Sequence, residues 1–257
     1  MSELPNFFSF KSAKDLVRIG KKNDGGYLAS QSDIIKSDAL ISLGLSDDWS
    51  FEEDFVKQKD VPVYVYDASV NLKFWIKRIL VETIKNPFNF YPLKKLISYK
   101  KFFKNDKKHL KKFVGLNVNN NNNYCSLSSI LDELNYQNIF MKIDIEGSEY
   151  RLLDTLILNQ NRITGLVIEF HDCDLHLDVI NKFIKSFDIK LAHIHANNFA
   201  PIRSNDMLPL SLELTFSKNC EFQKEGFLPH ALDMPNDKNI SEINLSIKKE
   251  SSFKSWK

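Results

Sequence analysis

The chain has 257 residues, of which 43% are hydrophobic, and it contains only eight glycines and eight prolines. This composition provides enough apolar material for one large core and excludes a fibrous or disordered protein. The formal net charge of +2 argues against a nucleic-acid-binding protein.

The three cysteines are widely spaced and form no CxxC pair, which argues against a disulfide framework or a structural zinc site. Residues 1–10 lack an export signal, and no segment reaches the roughly 18 apolar residues that a membrane span needs. We therefore expect a cytoplasmic protein without a membrane span. The sequence leaves open a transient contact with an anionic membrane surface and assembly into a homo-oligomer.

Seven short apolar runs rich in β-branched residues predict seven strands. They lie at 39–43, 63–66, 113–116, 139–143, 166–170, 191–195 and 211–216. Segments with the apolar spacing of helices separate several of these runs. This alternation predicts a doubly wound α/β sheet, with its binding edge at the carboxyl ends of the strands.

Residues 71–112 separate the second and third predicted strands by more than one crossover helix. They predict a cap of two or three helices inserted into a single domain of residues 1–257. Between Lys94 and Lys112, nine lysines accompany one acid, Asp106. These lysines form a solvated face, or they attract the pyrophosphate of a nucleotide-linked sugar.

Two polar segments have few core candidates. The asparagine run at 119–123 predicts a solvated loop, and residues 228–257 predict a polar, partly ordered tail.

The first two strand ends carry weak signals for a nucleotide-containing ligand. Gly44 follows the first strand, where a ligand can approach the backbone closely. Asp67 follows the second strand about 20 residues later, where a carboxylate can accept both hydroxyls of a ribose. Taken alone, an ordinary strand-to-helix turn and a capping aspartate explain these two residues equally well.

The fourth and fifth strand ends carry an acidic cluster. A helix dipole explains Glu149, but Asp144 and Glu146 need a cation, a proton or a hydrogen-bond partner. Glu169 and His171 share one face of the fifth strand and can join Asp144 at the same edge. Oxygen ligands with one imidazole suit Mg²⁺ or Mn²⁺, so we predict a metal held by Asp144, Glu169 and His171.

His195 ends the sixth strand, followed by Asn197 and Asn198. An imidazole with a pKa near neutrality suits removal of a proton from a sugar hydroxyl. A hydrogen-bonded residue at a strand end is the equally good alternative.

The run 142–153, Lys-Ile-Asp-Ile-Glu-Gly-Ser-Glu-Tyr-Arg-Leu-Leu, resembles the signature of FkbM-type methyltransferases. Residues 126–131 and 166–170 follow that family's order, and the resemblance spans roughly 39–216 without the insertion. It implies a Rossmann-like class I methyltransferase fold with a seven-stranded, mostly parallel sheet. It also implies transfer of a methyl group from S-adenosylmethionine to an oxygen, commonly on a sugar or a polyketide.

Three further segments resemble a subset of sugar methyltransferases from capsule and surface-polysaccharide gene clusters: 18–20, 24–27 and 50–52. The first turn, 42–48, departs from the family because it contains only one glycine. The acceptor implied is a nucleotide-linked sugar, such as a heptose, or a glycan. The cofactor contacts expected are Arg18, Asp24, Gly25, Gly26, Tyr27, Gly44, Ser50, Phe51, Glu52 and Asp67.

In the expected mechanism, the metal binds two vicinal sugar hydroxyls and Glu146 or His195 takes the proton. A metal-dependent hydrolase is one alternative, although Asp67 and the strand order weigh against it. A non-catalytic nucleotide-binding partner of polysaccharide assembly is another, and it would not need the acidic cluster.

Overall fold

The structure is a computed structural model that describes residues 2–86, 88–115 and 122–248. Within these residues the chain forms thirteen strands: β1 (Ser2–Leu4), β2 (Leu16–Ile19), β3 (Tyr27–Ser30), β4 (Ala39–Leu43), β5 (Val63–Tyr66), β6 (Lys107–Leu110), β7 (Phe113–Val114), β8 (Tyr124–Cys125), β9 (Ile139–Ile143), β10 (Ile163–Phe170), β11 (Lys190–Ala196), β12 (Leu212–Ser217) and β13 (Leu245–Ile247). The same residues form seven α-helices: α1 (Gln31–Lys36), α2 (Ser50–Gln58), α3 (Leu72–Lys85), α4 (Tyr91–Phe102), α5 (Leu127–Leu134), α6 (Leu153–Leu158) and α7 (Cys173–Ser186).

Seven strands form one sheet in the order β11-β12-β10-β9-β4-β5-β6. All neighbours in this sheet are parallel except the two pairs that involve β12. The chain builds β4, β5 and β6 towards one edge and then β9 and β10 towards the other, so the order reverses between β4 and β9. This topology confirms the predicted Rossmann-like class I methyltransferase fold, and ligands bind such sheets where the order reverses.

The core lies on both faces of this sheet because successive side chains of a strand point to opposite faces. One face packs against α5, α6 and α7, and the other packs against α1 and α2. Neighbouring residues on the central strands therefore belong to different apolar clusters: Ile41, Met141 and Ile168 to the first, and Leu40, Phe140 and Val167 to the second.

The third strand of the sheet differs from the prediction. It is β6, which lies inside the segment assigned to the helical cap, so the insertion ends before Lys107 and contains α3 and α4. The predicted strand at 113–116 starts as β7, which pairs with β8 outside the main sheet. Residue 116, residues 119–121 of the asparagine run and residues 249–257 lie outside the described residues. Since β6 is an edge strand paired only with β5, it tolerates lysines that a central strand would not.

An antiparallel pair, β2 and β3, precedes the first strand of the sheet and was not predicted. Strand β3 packs across β10 and β12, with all four of its residues buried. This packing brings Tyr27 onto the carboxyl edge of the sheet.

The C-terminal segment (residues 228–248) is not the loose tail that its polarity predicted. It ends in β13, which pairs with β1, and its polar side chains meet buried partners on the sheet. His193 lies 2.8 Å from Asp233, and His195 lies 3.0 Å from Glu242. The segment is polar because it supplies hydrogen-bond partners to these buried imidazoles.

No helix among the described residues is long and apolar enough to cross a membrane.

Replacing Glu242 by Gln should lower the free energy of unfolding by about 2 kcal/mol at neutral pH, because His195 loses a charged partner. Burial alone lowers the pKa of His195, but the carboxylates of Glu213 and Glu242 outweigh it and raise the pKa from 6.5 to about 10. The stabilisation by the protonated imidazole is therefore complete below pH 6.5 and is lost as the pH rises through about 10. Urea denaturation at neutral pH and above pH 10 measures this difference.

The matched control is Glu221→Gln, which removes an exposed carboxylate that pairs with Lys14. We expect almost no change in stability from it, because exposed ion pairs contribute little. Equal losses in the two variants, or a loss from Glu242→Gln that persists above pH 10, would contradict the assignment.

Candidate active site

The ends of β4 and β9 meet at unusually close range where the strand order reverses. Gly44 has a φ of +89°, and a Cβ atom at this position would lie 1.7 Å from the carbonyl oxygen of Asp144. The backbone N–H of Asp144 donates to Leu43 O at 2.9 Å, and Lys142 Nζ donates to Gly44 O at 3.1 Å. Only glycine fits here, because the position needs both a left-handed backbone and no side chain.

A cavity of about 770 Å³ opens beside this contact. Its volume suits a ligand of the size of a nucleotide-containing cofactor. Part of its wall is aromatic: Phe74 comes from α3, and the rings of Phe113 and Tyr124 lie 5.5 Å apart on β7 and β8. The polar part of the wall includes Lys21, Asp24, Ser46, Asp48, Asp67, Lys142, Asp144, Glu146, Ser148 and Arg151.

Asp67 lines the cavity, and its carboxylate accepts four hydrogen bonds from the protein. Its Oδ2 accepts from the backbone N–H groups of Leu45 and Ser46, each at 3.0 Å. Its Oδ1 accepts from the backbone and the hydroxyl of Ser69 at 2.7 and 2.6 Å. Burial opposes its charge, but these donors together lower the pKa of Asp67. Asp67 therefore fixes the loop after β4.

Two further acids of this loop tie the cavity wall to neighbouring elements. Asp47 pairs with Arg78 of α3 and with Lys95 of α4, the latter at 3.0 Å. Asp48 pairs with Lys21 at 2.6 Å. The sequence analysis assigned no role to these residues, since ion pairs between distant segments leave no local pattern.

His171 lies at the centre of an acidic cluster. Its Nε2 is 3.5 Å from Glu146 Oε2, 3.7 Å from Glu169 Oε1 and 4.0 Å from Asp144 Oδ1. Its Nδ1 lies 3.0 Å from Glu149 Oε1. Burial alone lowers the pKa of His171, but the surrounding carboxylates raise it to about 9.

Glu149 orients this imidazole. Its side chain is fully buried, and Oε1 also accepts from the backbone N–H groups of Ile145 and Gly147. Because a carboxylate accepts from Nδ1–H, the Nε2 atom of His171 is directed at Asp144 and Glu169. A carboxylate behind a histidine is the arrangement that fixes metal-ligating imidazoles in proteins.

Glu169 is buried and has several neutral partners. Its Oε1 accepts from Asn197 Nδ2 at 2.8 Å and from the Ser211 hydroxyl at 2.6 Å. The Tyr27 hydroxyl lies 3.2 Å from Glu169 Oε2 and 3.0 Å from Asp144 Oδ2, and so bridges the two acids. Burial and the charge of Asp144 raise the pKa of Glu169 to about 8.

Lys142 offsets part of the negative charge from below the cavity. It is buried, and its Nζ lies 3.9 Å from Asp144 Oδ2. Burial opposes the charge of this ammonium group, but Asp144, Glu52 and Glu169 raise the pKa of Lys142. Lys142 is therefore protonated and sits where the cavity and the acidic cluster share a wall.

The structure brings the three predicted metal ligands together. Ligand atoms around an ion with bonds of about 2.1 Å are separated by about 3.0 to 4.2 Å. The distances from His171 Nε2 to Asp144 and Glu169, 4.0 and 3.7 Å, fall in this range. Glu149 is an alternative third ligand, since it, Asp144 and His171 offer atoms within 4.8 Å of one another. The donor set therefore fits a divalent cation.

His195 is not placed to act as a general base. Its Nδ1 lies 2.9 Å from Glu213 Oε2 and its Nε2 lies 3.0 Å from Glu242 Oε1. Both nitrogens are occupied, the imidazole is protonated at neutral pH, and the residue does not line the cavity. The hydrogen-bonded alternative applies, because the C-terminal segment covers this residue.

The predicted cofactor contacts divide into two groups. Those that line the cavity are Asp24, Gly25, Gly44, Phe51 and Asp67. Those that lie behind its wall are Arg18, Gly26, Tyr27, Ser50 and Glu52.

The second group shapes the wall. Arg18 donates to Lys21 O at 2.8 Å and to Asn23 O at 3.0 Å, which folds the loop that carries Asp24. Glu52 is buried and accepts from the Ser42 hydroxyl at 2.5 Å. Burial raises the pKa of Glu52.

None of the lysines from 94 to 112 is among the described residues that line the cavity. They lie on α4, on β6 and in the loops that follow these elements. Lys95 alone approaches the wall, through Asp47.

No family model matches this sequence, and no curated protein matches it. Three solved structures that it resembles are methyltransferases by name. A precorrin-6y C5,15-methyltransferase from Geobacter metallireducens GS-15 is 10% identical, with 74% of this chain and 86% of that chain covered and a TM-score of 0.37. An rRNA methylase from Streptococcus thermophilus is 10% identical, with 73% and 93% covered and a TM-score of 0.38. TrmK from M. capricolum, in complex with S-adenosyl-homocysteine, is 13% identical, with 74% and 66% covered and a TM-score of 0.35.

Proposed function

We propose that this chain is an S-adenosylmethionine-dependent O-methyltransferase of the FkbM type that acts on a sugar hydroxyl. One observation carries the proposal: Asp144 and Glu146 belong both to the wall of the cavity and to the acidic cluster around His171. A cofactor in the cavity and an acceptor at the cluster would therefore share one boundary, which is what direct group transfer requires.

The cavity offers a partner for each part of the cofactor. The aromatic wall formed by Phe113 and Tyr124 suits the adenine ring. A ribose hydroxyl would replace Ser69 at Oδ1 of Asp67, the oxygen that only Ser69 occupies. Burial raises the pKa of Asp24, so the ammonium group of the methionine moiety would be a favourable partner for its carboxylate.

The acidic cluster suits the acceptor. Asp144, Glu169 and His171 would hold Mg²⁺ or Mn²⁺, and such an ion lowers the pKa of a bound hydroxyl group. Tyr27 and Lys142 hold the Asp144 carboxylate, and Glu149 holds the imidazole. Hard oxygen ligands favour vicinal hydroxyls of a sugar as the remaining ligands.

Glu146 is the proposed base. Its side chain is 87% exposed and faces His171 Nε2 from the cavity side. The acceptor oxygen forms a bond to the methyl carbon as the carbon–sulfur bond breaks, and the hydroxyl proton passes to the Glu146 carboxylate. The products are a methyl ether and S-adenosylhomocysteine.

A nucleotide-linked sugar, such as a heptose destined for a capsular or surface polysaccharide, is the proposed acceptor. Arg151 and Lys21 both line the cavity and can meet the charge of a diphosphate. This assigns the diphosphate to the cavity wall and not to the lysines at 94–112.

The first test is calorimetric titration with S-adenosylhomocysteine, which we expect to bind. Tyr124→Ala should weaken binding by about tenfold, because stacking on an aromatic ring contributes about 1–3 kcal/mol. Tyr91→Ala is the matched control, since Tyr91 is exposed on α4 outside the cavity, and it should leave binding unchanged. Absence of binding at high ligand concentration would remove the proposal.

The second test concerns the metal. His171→Asn should weaken Mn²⁺ binding by at least about tenfold and lower turnover of nucleotide-linked sugars, because one ligand and the partner of Glu149 are lost. His230→Asn, which lies in the C-terminal segment, should change neither quantity. Activity that survives exhaustive chelation unchanged would remove the metal and leave the cofactor assignment standing.

The third test separates the base from the binding residues. Glu146→Gln should lower kcat by about a hundredfold while leaving the Kd of S-adenosylhomocysteine unchanged, since proton transfer contributes about 10²–10⁴. Glu133→Gln, an exposed glutamate on α5, is the control. An unchanged kcat in Glu146→Gln would exclude this residue as the base.

A further inference from the structure

Helices α3 and α4 form a helical hairpin between β5 and β6 whose outer surface is unusually apolar. It carries ten of the twenty-two large apolar side chains that are exposed among the described residues. They are Leu72, Ile76, Leu80, Val81, Ile84, Phe88, Phe90, Tyr91, Leu93 and Ile97.

These side chains follow the geometry of the helices. Leu72, Ile76, Leu80 and Ile84 recur every four residues, so they share one side of α3. The other side of α3 is the one that packs on the protein, where Trp75 is buried. Soluble proteins rarely leave an apolar area of this extent exposed unless it binds something.

Positive charge accompanies the apolar surface. Residues 72–102 contain eight basic side chains and one acid, Glu82. Arg78 and Lys95 pair with Asp47, and Lys85 pairs with Glu82. In the part of the chain that the structure describes, five lysines of the hairpin form no ion pair: Lys73, Lys77, Lys94, Lys100 and Lys101.

We propose that the helical hairpin docks this protein onto an anionic lipid bilayer surface, with its apolar side chains at the headgroup boundary and its lysines against acidic headgroups. Helices with an apolar face, interleaved lysines and aromatic residues bind membranes in this way. Phe88 and Phe90, 84% and 60% exposed in the connection between the helices, are the aromatic residues best placed to insert.

The charge argues against two other occupants. In a twofold-symmetric dimer through this face, each basic surface would oppose its own copy, which is repulsive. A nucleic acid would use the lysines but would leave the aliphatic row on α3 exposed. A bilayer with acidic headgroups satisfies both the charge and the apolar area.

The docked hairpin would also place the cavity near the bilayer. Phe74 of α3 lines the cavity, and Arg78 and Lys95 hold Asp47 in its wall. The hairpin is therefore a part of the molecule that both touches the membrane and borders the site.

Co-sedimentation of the full chain with vesicles tests the proposal. We expect at least about tenfold stronger binding to phosphatidylcholine vesicles that contain phosphatidylserine than to phosphatidylcholine alone, and weaker binding at high salt. The charge variant Lys100→Glu/Lys101→Glu should lose this binding. Its control, Lys182→Glu/Lys185→Glu on α7, has the same change of net charge and should retain it.

The apolar contribution has its own pair of variants. Ile84→Ser/Phe88→Ser should weaken vesicle binding, whereas Leu158→Ser/Leu175→Ser, which removes two equally large and exposed side chains elsewhere, should not. Circular dichroism confirms that each variant is folded. Because binding is measured without turnover, the outcome is independent of the proposed methyltransferase activity.

Three results would overturn the proposal: no preference for phosphatidylserine, equal losses in the hairpin variants and their controls, or no vesicle binding at all. A concentration-dependent dimer that Ile84→Ser/Phe88→Ser dissociates, without vesicle binding, would assign the hairpin to an interface between copies of the chain.

Discussion

Four carboxylates surround one imidazole at the carboxyl edge of the sheet, and the surrounding structure is arranged to tolerate their mutual repulsion. Buried carboxylates need donors or cations, since water cannot reach them. Strand β3 provides one such donor, the Tyr27 hydroxyl between Asp144 and Glu169. The other stabilising groups are the protonated His171, Lys142, Asn197, Ser211 and the backbone N–H groups of Ile145 and Gly147. The position of the β2–β3 pair on the sheet is therefore part of the site's electrostatics.

The central strands could be predicted from the sequence because burial on both faces requires continuous apolar runs. Strands β4, β5 and β9 have the bounds that their apolar runs predicted. The edge strand β6 escaped prediction because an exposed edge accepts lysines, so its residues read as part of the basic cap. The C-terminal segment was misjudged for a related reason: its polar residues have buried partners that lie far away in the sequence.

The same distinction separates the site residues that could be predicted from those that could not. Asp144, Glu169 and His171 follow neighbouring parallel strands, and parallel strands end at one edge, so their proximity follows from topology. The environment of His195 depends on Glu242, which lies 47 residues later and carries no local signal. Asp67 was placed correctly at the cavity, yet the four donors that hold it are visible only in three dimensions.

The loop that carries Asp24 depends on the far end of the chain. Asn23 Nδ2 donates to Pro235 O at 2.8 Å, across 212 residues of sequence, and the Asp24 N–H donates to Asn236 O at 3.2 Å. During synthesis the N-terminal region leaves the ribosome long before these partners do. We therefore expect the cavity wall to be completed last, so that the nascent chain holds its sheet before it can hold a cofactor.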